Sequence, residues 1–311
     1  MLDLVAVRSL IAVEDQGSVV EAAQSLGFTP SAVSQQIKRL ERQSGCELLE
    51  RVGRGVILSE RGRRLAEHGR RLLGEMEALE NVALGHDRPA AGDLRIAAFS
   101  TACRGLIAPL LSRLARSAPD LNVTVQELDP RECLTLVERG GADLGVVHDW
   151  NTIPLDPGSS LESVCLFTDL ADVLLPAEHP LAAADAVQPP DLLQERWIST
   201  HEGSICDDWL NQMFALHGAR PDVRFRDASF ESHLAFVQQG AAVALVPRLG
   251  RPRLPAGVRA VKVANPIPQR RVYSVWRQAS RENAARRHVQ QALELVVATL
   301  PQLTGELLAA A

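Results

Sequence analysis

The stretch Thr29-Pro30-Ser31-Ala32-Val33-Ser34-Gln35-Gln36-Ile37 decides the fold of the first part of this chain. Threonine is a favourable N-cap and proline is a favourable first helical residue, so a helix is predicted to begin here. Val33, Ile37 and Leu40 recur at helical spacing and predict its buried face. Gly45 predicts its end. The helix therefore turns an apolar face to a core and a polar face to solvent.

Two shorter helical patterns precede this helix. Apolar residues at helical spacing predict a first helix over residues 3–15. The sequence Ser18-Val19-Val20-Glu21 matches a capping box and predicts a second helix, which runs to Leu26 and ends at Gly27. This short helix, the turn that contains glycine and the helix after Thr29 together predict a helix-turn-helix.

A small hairpin and a long helix are predicted next. Two glycines and an apolar run within residues 53–58 predict a β-hairpin, or wing. Ser59-Glu60 then begins a helix that continues to about residue 84. Leucines at seven-residue spacing predict a coiled-coil seam between two copies of the chain, namely Leu65, Leu72 and Leu79. The alternative is a helix that packs only on its own domain.

Strands and helices alternate after a segment rich in breakers and small residues at 88–92, and this alternation indicates an α/β fold. The predicted strands are 94–99, 123–128, 143–147, 173–175, 197–199, 223–225, 243–246 and 272–276. The predicted helices include 106–115, 133–138, 207–216, 231–238 and 284–300. A chain that leaves one α/β lobe, builds a second and returns makes a cleft, where small ligands usually bind.

Charge is distributed unevenly along the chain. The 311 residues carry a formal net charge of −5, yet residues 51–71 hold seven arginines against two glutamates, a local charge of +5. A segregated basic segment is compatible with nucleic-acid binding by an acidic protein. No apolar run reaches the roughly 18 residues of a membrane span and no signal-peptide pattern begins the chain, so we expect a cytoplasmic protein without membrane association.

Catalytic and metal-binding motifs are missing from the sequence. It contains no G-x-S-x-G, P-loop, H-E-x-x-H or dinucleotide-binding fingerprint, so no enzyme and no cofactor are expected. The five cysteines are scattered, without a C-x-x-C pair or a spacing that suits zinc. We expect them to be reduced and mostly buried.

The amino-terminal motifs resemble the LysR-type family of bacterial transcription regulators. The matching residues include Gly17-Ser18, Ala22-Ala23, the stretch from Thr29 to Ile37, Lys38-Arg39-Leu40-Glu41, Leu48-Leu49-Glu50-Arg51 and Leu58-Ser59-Glu60-Arg61-Gly62. Weaker matches to the effector domain of that family are Ala118-Pro119-Asp120-Leu121, Asp143-Leu144-Gly145, His179-Pro180-Leu181 and Gly240 to Pro247. The resemblance implies a DNA-binding regulator that a small-molecule effector modulates.

The resemblance also implies the fold class and the domain order. The expected class is α/β, with an all-α winged helix-turn-helix, a long linker helix and a two-lobed α/β effector domain that resembles periplasmic binding proteins. The expected domains are 1–58 for the winged helix-turn-helix, 59–87 for the linker and dimerisation helix, 88–92 for the hinge and 93–311 for the effector-binding domain. Within the last, lobe 1 comprises about 93–163 and 266–311, and lobe 2 about 164–265.

The second helix of a helix-turn-helix enters the major groove, where its first residues reach base edges. The predicted DNA contacts are Pro30, Ser31, Ser34, Gln35 and Lys38 on this helix, with Arg51 and Arg54 in the wing. The family often carries arginine at the position of Gln35, so a base preference is not transferred to this chain. An internal salt bridge that braces the wing is the alternative role of Arg51.

Ser100-Thr101 follows the first strand of the α/β part and precedes a helix, where free N–H groups suit a carboxylate. In the resembling family this loop lines the effector cleft. The predicted effector contacts are Ser100, Thr101, Trp150, Ser199, Thr200, His201, Phe230 and Pro247. The alternatives are a plain helix cap for the first two, a surface histidine for His201, and core positions for Trp150 and Phe230. The expected effector is a small molecule that bears a carboxylate.

Partners and one rival mechanism complete the expectations. The expected partners are double-stranded DNA, the effector and a second copy of the chain, in a homodimer or homotetramer, with RNA polymerase as a further candidate. The rival is a thiol redox switch, because peroxide-sensing members of the family use paired cysteines in the second lobe. Cys206 lies in the corresponding region, but no second cysteine is close to it in sequence.

Overall fold

The computed structural model describes residues 2–52, 55–84, 90–281 and 283–300. The chain forms two compact units, Met1–Gly85 and His86–Ala311. The first unit contains α1 (Leu4–Gln16), α2 (Val19–Leu26), α3 (Pro30–Ser44), β1 (Leu49–Val52), β2 (Gly55–Leu58) and α4 (Glu60–Leu84).

The second unit alternates strands and helices. Its strands are β3 (Gly92–Ala98), β4 (Leu121–Glu127), β5 (Leu144–His148), β6 (Leu161–Pro176), β7 (Ala186–Val187), β8 (Arg196–Ser199), β9 (Asp222–Arg226), β10 (Ala244–Pro247), β11 (Val258–Val263) and β12 (Gln269–Arg277). Its helices are α5 (Ser100–Ala102), α6 (Ala108–Ser117), α7 (Pro130–Glu138), α8 (Ile205–Ala215), α9 (Phe230–Gln238) and α10 (Ala284–Val297). A π-helical segment, Cys103–Ile107, joins α5 to α6.

The first unit follows the sequence pattern closely. The Thr29 side chain caps α3 by accepting the Ala32 N–H at 3.2 Å, and Gly45 ends the helix with φ near 69°. A residue with a side chain rarely adopts that conformation, so glycine suits the position. Val33 and Ile37 are almost fully buried in the core shared with α1 and α2. The predicted helix-turn-helix and its buried face are confirmed.

Helix α4 lies unusually close to the rest of the first unit. A Cβ atom built at Gly69 would lie 2.4 Å from Val7 Cγ1 on α1, and one at Gly62 would lie 2.2 Å from the Leu48 carbonyl oxygen. Arg70 of α4 also attaches the helix to α1, through ion pairs of 2.7 Å to Glu14 and 2.6 Å to Asp15. The two glycines therefore permit close packing between the helix and its own domain.

One eight-stranded sheet organises the second unit. Its order is β4-β3-β5-β12-β6-β11-β7, and β10 also pairs with β6. Strands β3, β4 and β5 are parallel, whereas β12 and β6 pair antiparallel to their neighbours. Ile96 of β3 packs with α6 and α10 on one face, and the adjacent Ala97 packs with α7 on the other. The predicted α/β class is confirmed, and helices lie on both faces of the sheet.

Strand β6 connects two lobes without a break. Its residues Leu161–Leu170 pair with β12, and its later residues pair with β10 and β11. We call the part built on β3, β4, β5, β12, α5–α7 and α10 lobe 1, and the part built on β7–β11, α8 and α9 lobe 2. The predicted lobe boundary at 163/164 lies inside β6, because the pairing partners change only after Leu170.

Some elements differ from the sequence expectations. The predicted strand 173–175 is only the end of β6, and β11 had no predicted counterpart. The helical conformation begins at Ser100, six residues before the predicted Leu106, because α5 and the π-helical segment precede α6. The reason is long-range pairing and packing, which stabilise segments whose local pattern is weak.

Candidate DNA interface and effector cleft

The polar face of α3 is available for contact with DNA. Pro30, Ser31, Gln35 and Lys38 are exposed, and Ser34 is half-buried at the edge of the same face. On the opposite side, Gln36 accepts a hydrogen bond from the Ser9 hydroxyl of α1. All five residues predicted on this helix are therefore brought together on one surface of a firmly held helix.

Several arginines of the basic stretch from 51 to 71 are paired inside the domain, so less of its charge is available to DNA than the sequence suggests. Arg51 lies exposed on β1, opposite Val56 of β2, whereas Arg54 lies outside the described residues. Several other arginines are bound within the domain: Arg63 to the Leu58 carbonyl, Arg64 to Glu60, Arg70 to α1 and Arg71 to Glu67. Arg51 therefore retains its predicted place at the wing, while much of the local charge has internal partners.

The predicted seam on α4 divides into two parts. Leu65 is half-buried and packs against the core of the first unit. Leu72 and Leu79 are 50% and 69% exposed, high fractions for large apolar side chains. Leu65 thus already has a role within one copy of the chain, and the exposed part of the seam begins one heptad later.

The amino-terminal end of α5 in lobe 1 has no side-chain cap. Phe99 occupies the N-cap and makes no side-chain capping bond, so the first N–H groups of the helical stretch lack that partner. Ser100 is half-buried here. Thr101 is 1% exposed, and its hydroxyl accepts a hydrogen bond from Arg270 at 2.8 Å. Of the predicted pair, Ser100 is the more exposed, and Thr101 binds a buried arginine.

Arg270 is a buried residue that the sequence analysis missed. It is 1% exposed and donates to Asp169 at 2.7 and 2.9 Å. Its guanidinium carbon lies 5.0 Å from the centre of the Phe99 ring and 5.6 Å from that of Trp150. Because Arg270 and Thr101 are 169 residues apart, no local motif signals this cluster.

The predicted residues of lobe 2 fall into internal networks. Ser199 is buried and donates to Asp207 at 2.9 Å. Thr200 and Ser204 share a hydrogen bond of 2.7 Å between their hydroxyl oxygens. His201 is exposed at the start of the turn before α8. These contacts orient the rim of lobe 2, and they leave His201 as the predicted residue of this loop with an exposed side chain.

A small cavity lies behind this rim. Its volume is about 10 Å³, and it is lined by Trp150, Ile198, Ser199, Thr200, Cys206, Leu210, Phe230, His233, Leu245 and Pro247. Five of the predicted effector residues are in this list. Trp150 Nε1 and His233 Nδ1 are buried without a hydrogen-bond partner among the described residues. A volume of this size holds about one water molecule, so these residues form a wall and not an open chamber.

Burial controls the ionisation of the groups around this wall. It raises the pKa of the Cys206 thiol to about 11. Burial also lowers the pKa of His148 well below its ordinary value, and the nearby Arg270 lowers it further. The Cys206 sulfur lies 4.0 Å from His148 Nε2. At neutral pH the cluster therefore holds a protonated thiol beside a neutral imidazole.

Two family models together match nearly the whole described chain. Residues 4–63 match the bacterial regulatory helix-turn-helix of the lysR family, and residues 87–297 match the LysR substrate binding domain. The chain belongs to the LysR family. It is a LysR-type DNA-binding transcription regulator with an effector-binding domain. Within the described residues, no helix is long and apolar enough to cross a membrane.

Several named bacterial regulators are similar to this LysR regulator in sequence or in fold. It is 26% identical over 273 residues to a hydrogen peroxide-inducible genes activator of Dickeya chrysanthemi, covering 87% of this chain and 88% of that protein. It is 25% identical over 244 residues to the HTH-type transcriptional regulator CysL of Bacillus subtilis, covering 78% and 79%. Its fold matches a full-length OxyR variant from Pseudomonas aeruginosa, with a TM-score of 0.76, 20% identity and coverage of 97% and 96%.

Proposed function

We propose that this regulator reads its operator with the polar face of α3 and contacts phosphate with the wing. The observation that carries this proposal is the shared exposure of Ser31, Gln35 and Lys38 on a helix whose other face is buried. Ser31, Ser34 and Gln35 are suited to bases, and Lys38, Arg51 and Arg54 to phosphate. The protein acts in the cytoplasm, where bacterial DNA is found.

A footprint on the DNA upstream of the protein's own gene tests this function. We expect two protected half-sites related by two-fold symmetry, because a dimer presents two copies of α3. The dimer forms through the exposed part of the α4 seam, and two dimers make a tetramer. RNA polymerase is a further partner of the bound assembly. A single protected half-site at all protein concentrations would contradict the dimeric arrangement.

The signal that we propose is a small molecule with a carboxylate, bound in the cleft at the amino-terminal end of α5. The support is the uncapped helix end at Ser100, which offers N–H groups to an anion, and the adjacent buried Arg270. His201 of lobe 2 is exposed, and we expect it to contact the bound molecule from that lobe. The relatives are named as regulators, which supports a role in binding and not in catalysis.

Isothermal titration with a metabolite that alters the footprint tests this site. We expect Ser100→Ala to weaken binding about tenfold, since a hydrogen bond to a charged group contributes about 1.5 kcal/mol. The matched control is Ser117→Ala, at the opposite end of the same helical stretch. Equal affinities of wild type and Ser100→Ala would remove Ser100 from the site.

A thiol switch at Cys206 is the second candidate, favoured by the relatives named for hydrogen peroxide and by the position of Cys206 on the cavity wall. The pKa of about 11 opposes it, because the thiolate is the reactive form and is scarce at neutral pH. Mass spectrometry after treatment with hydrogen peroxide separates the two candidates. A disulfide or sulfenic acid at Cys206 that forms in parallel with a changed footprint would favour the switch.

A further inference from the structure

Two residues that line the small cavity behind the rim of lobe 2 carry buried polar atoms without a partner. Trp150 is 2% exposed and His233 is 1% exposed, and both line this cavity of about 10 Å³. Among the described residues, neither Trp150 Nε1 nor His233 Nδ1 has a hydrogen-bond partner. Buried polar atoms are normally paired, with protein or with ordered water, because an unpaired one keeps its full desolvation cost. The two atoms therefore need a partner that the described residues do not supply.

The protonation of His233 determines what its unpaired nitrogen can do. Its Nε2 lies 2.8 Å from the backbone carbonyl oxygen of Asp227, which can only accept, so Nε2 carries the ring proton. Burial lowers the pKa of this imidazole, so the ring is neutral at pH 7 and has no second proton. The Ser199 carbonyl opposes that effect on the pKa, but it makes no hydrogen bond with Nδ1. Nδ1 is therefore an acceptor.

Trp150 supplies the complementary group, because an indole nitrogen can only donate. One candidate acceptor is the Cys206 thiol, which also lines the cavity; burial raises the pKa of this thiol to about 11, and contact with Trp150 opposes that effect. A thiol sulfur is a weak acceptor, however, and no hydrogen bond of acceptable geometry joins it to the indole. The Trp150 ring stacks on Trp209, with 4.9 Å between the ring centres. The cavity thus offers one donor and one acceptor on side chains that packing holds in place.

We propose that one water molecule binds in this cavity, where it accepts the Trp150 N–H and donates to His233 Nδ1. The size of the cavity, about 10 Å³, admits one molecule of that volume. The chemistry selects a neutral group that both accepts and donates. An ionised carboxylate only accepts and an ammonium group only donates, so neither satisfies both atoms. This inference goes beyond the proposed function, because it requires neither DNA nor an effector.

The bound water connects two parts of the effector domain. Trp150 follows β5 of lobe 1, and its ring lies 5.6 Å from the guanidinium carbon of the buried Arg270. His233 belongs to α9 of lobe 2, where its ring also contacts Phe230, with 5.0 Å between the ring centres. The water therefore joins α9 to the side chains around the buried ion pair of Arg270 through a single indole ring.

A crystal structure of the full chain tests the site directly. We expect one water oxygen within about 2.7–3.2 Å of both Trp150 Nε1 and His233 Nδ1. Two variants with the same amide group form a matched pair. In His233→Asn the amide oxygen takes the place of Nδ1, and the water should stay. In His233→Gln the amide instead reaches the place of Nε2 and keeps the bond to Asp227, and the water should be lost.

Magnetisation transfer from water to indole N–H groups tests the same site in solution, on the wild-type chain. The control is Trp197, whose Nε1 is also buried without a partner among the described residues, although Trp197 does not line this cavity. We expect transfer from a long-lived water to Trp150 and none to Trp197. Equal transfer to both indoles, a cavity without water in the wild-type crystal, a direct bond from Trp150 to Cys206, or a water that persists in His233→Gln would each overturn the proposal.

Discussion

Arg270 in lobe 1 is a buried charge whose loss should strongly lower the stability of the fold. Its positive charge is removed from water, and its partner Asp169 is buried with it at 4% side-chain exposure. Removing one member of such a pair leaves the other charged and without compensation, which costs about 3–5 kcal/mol. The same pair holds Thr101 in place and packs Phe99 and Trp150, so stability and the form of the cleft depend on one contact.

We therefore expect Arg270→Met to lower the free energy of unfolding by about 3–5 kcal/mol. Chemical denaturation of the full chain measures it. The double variant Arg270→Met with Asp169→Asn serves as the control, because asparagine removes the orphaned charge and still accepts the Leu249 N–H. We expect the double variant to be more stable than the single one, and the reverse order would contradict the ion-pair account.

Gln35 and Lys38 should differ in what their removal changes. Gln35→Ala should change which operator sequences are preferred, with a loss of about 1–3 kcal/mol at its base pair only. Lys38→Ala should weaken binding to all sequences and reduce the salt dependence by about one phosphate contact. Fluorescence anisotropy over a panel of single-base operator variants and several salt concentrations measures both. A uniform loss for both variants would contradict this division, which extends to Arg54→Ala in the wing.

Two buried histidines should make stability dependent on pH. Burial lowers the pKa of both His148 and His233, so each is neutral when folded and takes up a proton when unfolded below about pH 6.5. Stability is therefore lost as the pH falls through that value, by at most about 1.4 kcal/mol per pH unit for each histidine. His148→Gln should flatten this dependence between pH 7 and 5.5 in denaturation experiments, whereas the exposed His217→Gln should retain it.

At this scale the sequence indicates part of the proposed site. It predicts Ser100 because a hydroxyl between a strand and a helix has a local signature. Arg270 was missed, since it acts through Asp169, which lies 101 residues away in the sequence. His233 was missed as well, because only the packing of lobe 2 shows that it is buried. Such pairs are set by topology, which no short motif encodes.

Among the helices and strands, α4 depends most on close packing, which brings Gly69 against Val7 of α1. Alanine at Gly69 would gain about 1 kcal/mol of helix propensity, but its Cβ would overlap Val7 at 2.4 Å. Overpacking costs about 1–3 kcal/mol, so the overlap outweighs the gain. Helix α4 would then be pushed away from α1.

We expect Gly69→Ala to lower the melting temperature of the first unit. Adding Val7→Ala removes the overlapping methyl groups, and a double-mutant cycle should show favourable coupling of about 1 kcal/mol or more between the two changes. Thermal unfolding of all four proteins measures this coupling. Simple additivity of the two single effects would be inconsistent with a steric cause.

The sequence predicts elements best where the local pattern and the tertiary contacts agree. The first three helices of the first unit, α1 to α3, have caps, breakers and apolar faces that all indicate the same bounds. Strand β6 was found only at its end, because its pairing partners, not its own alternation, hold most of its 16 residues extended. The early start of the helix at Ser100 includes a π-helical segment, which propensity alone does not reveal.

If the exposed part of the α4 seam is an interface between copies of the chain, the protein functions as an oligomer. Leu72→Glu with Leu79→Glu should convert the assembly to monomers and weaken operator binding at least tenfold, because two half-sites would no longer be bound together. Analytical ultracentrifugation and anisotropy measure the two effects. The control is Leu216→Glu, an equally exposed leucine of lobe 2. An unchanged mass for the double variant would place the main interface elsewhere.

The architecture as a whole was predictable because it follows from composition and order. A helical unit with a capped helix-turn-helix, followed by alternating strands and helices, leaves few arrangements to consider. The exact point at which the chain passes between lobes was not predictable, because it lies inside one strand. No proline or glycine lies near the crossing point to mark the passage, because the proline of β6, Pro176, is its last residue.

That uninterrupted strand has a mechanical consequence. A hinge made of loops would let the lobes swing apart, but β6 is fixed by backbone hydrogen bonds on both sides of the crossing point. The inexpensive motion for such a strand is a change of twist about its own axis. Binding of a molecule at Ser100 would thus twist β6, and lobe 2 would rotate about the axis of this strand.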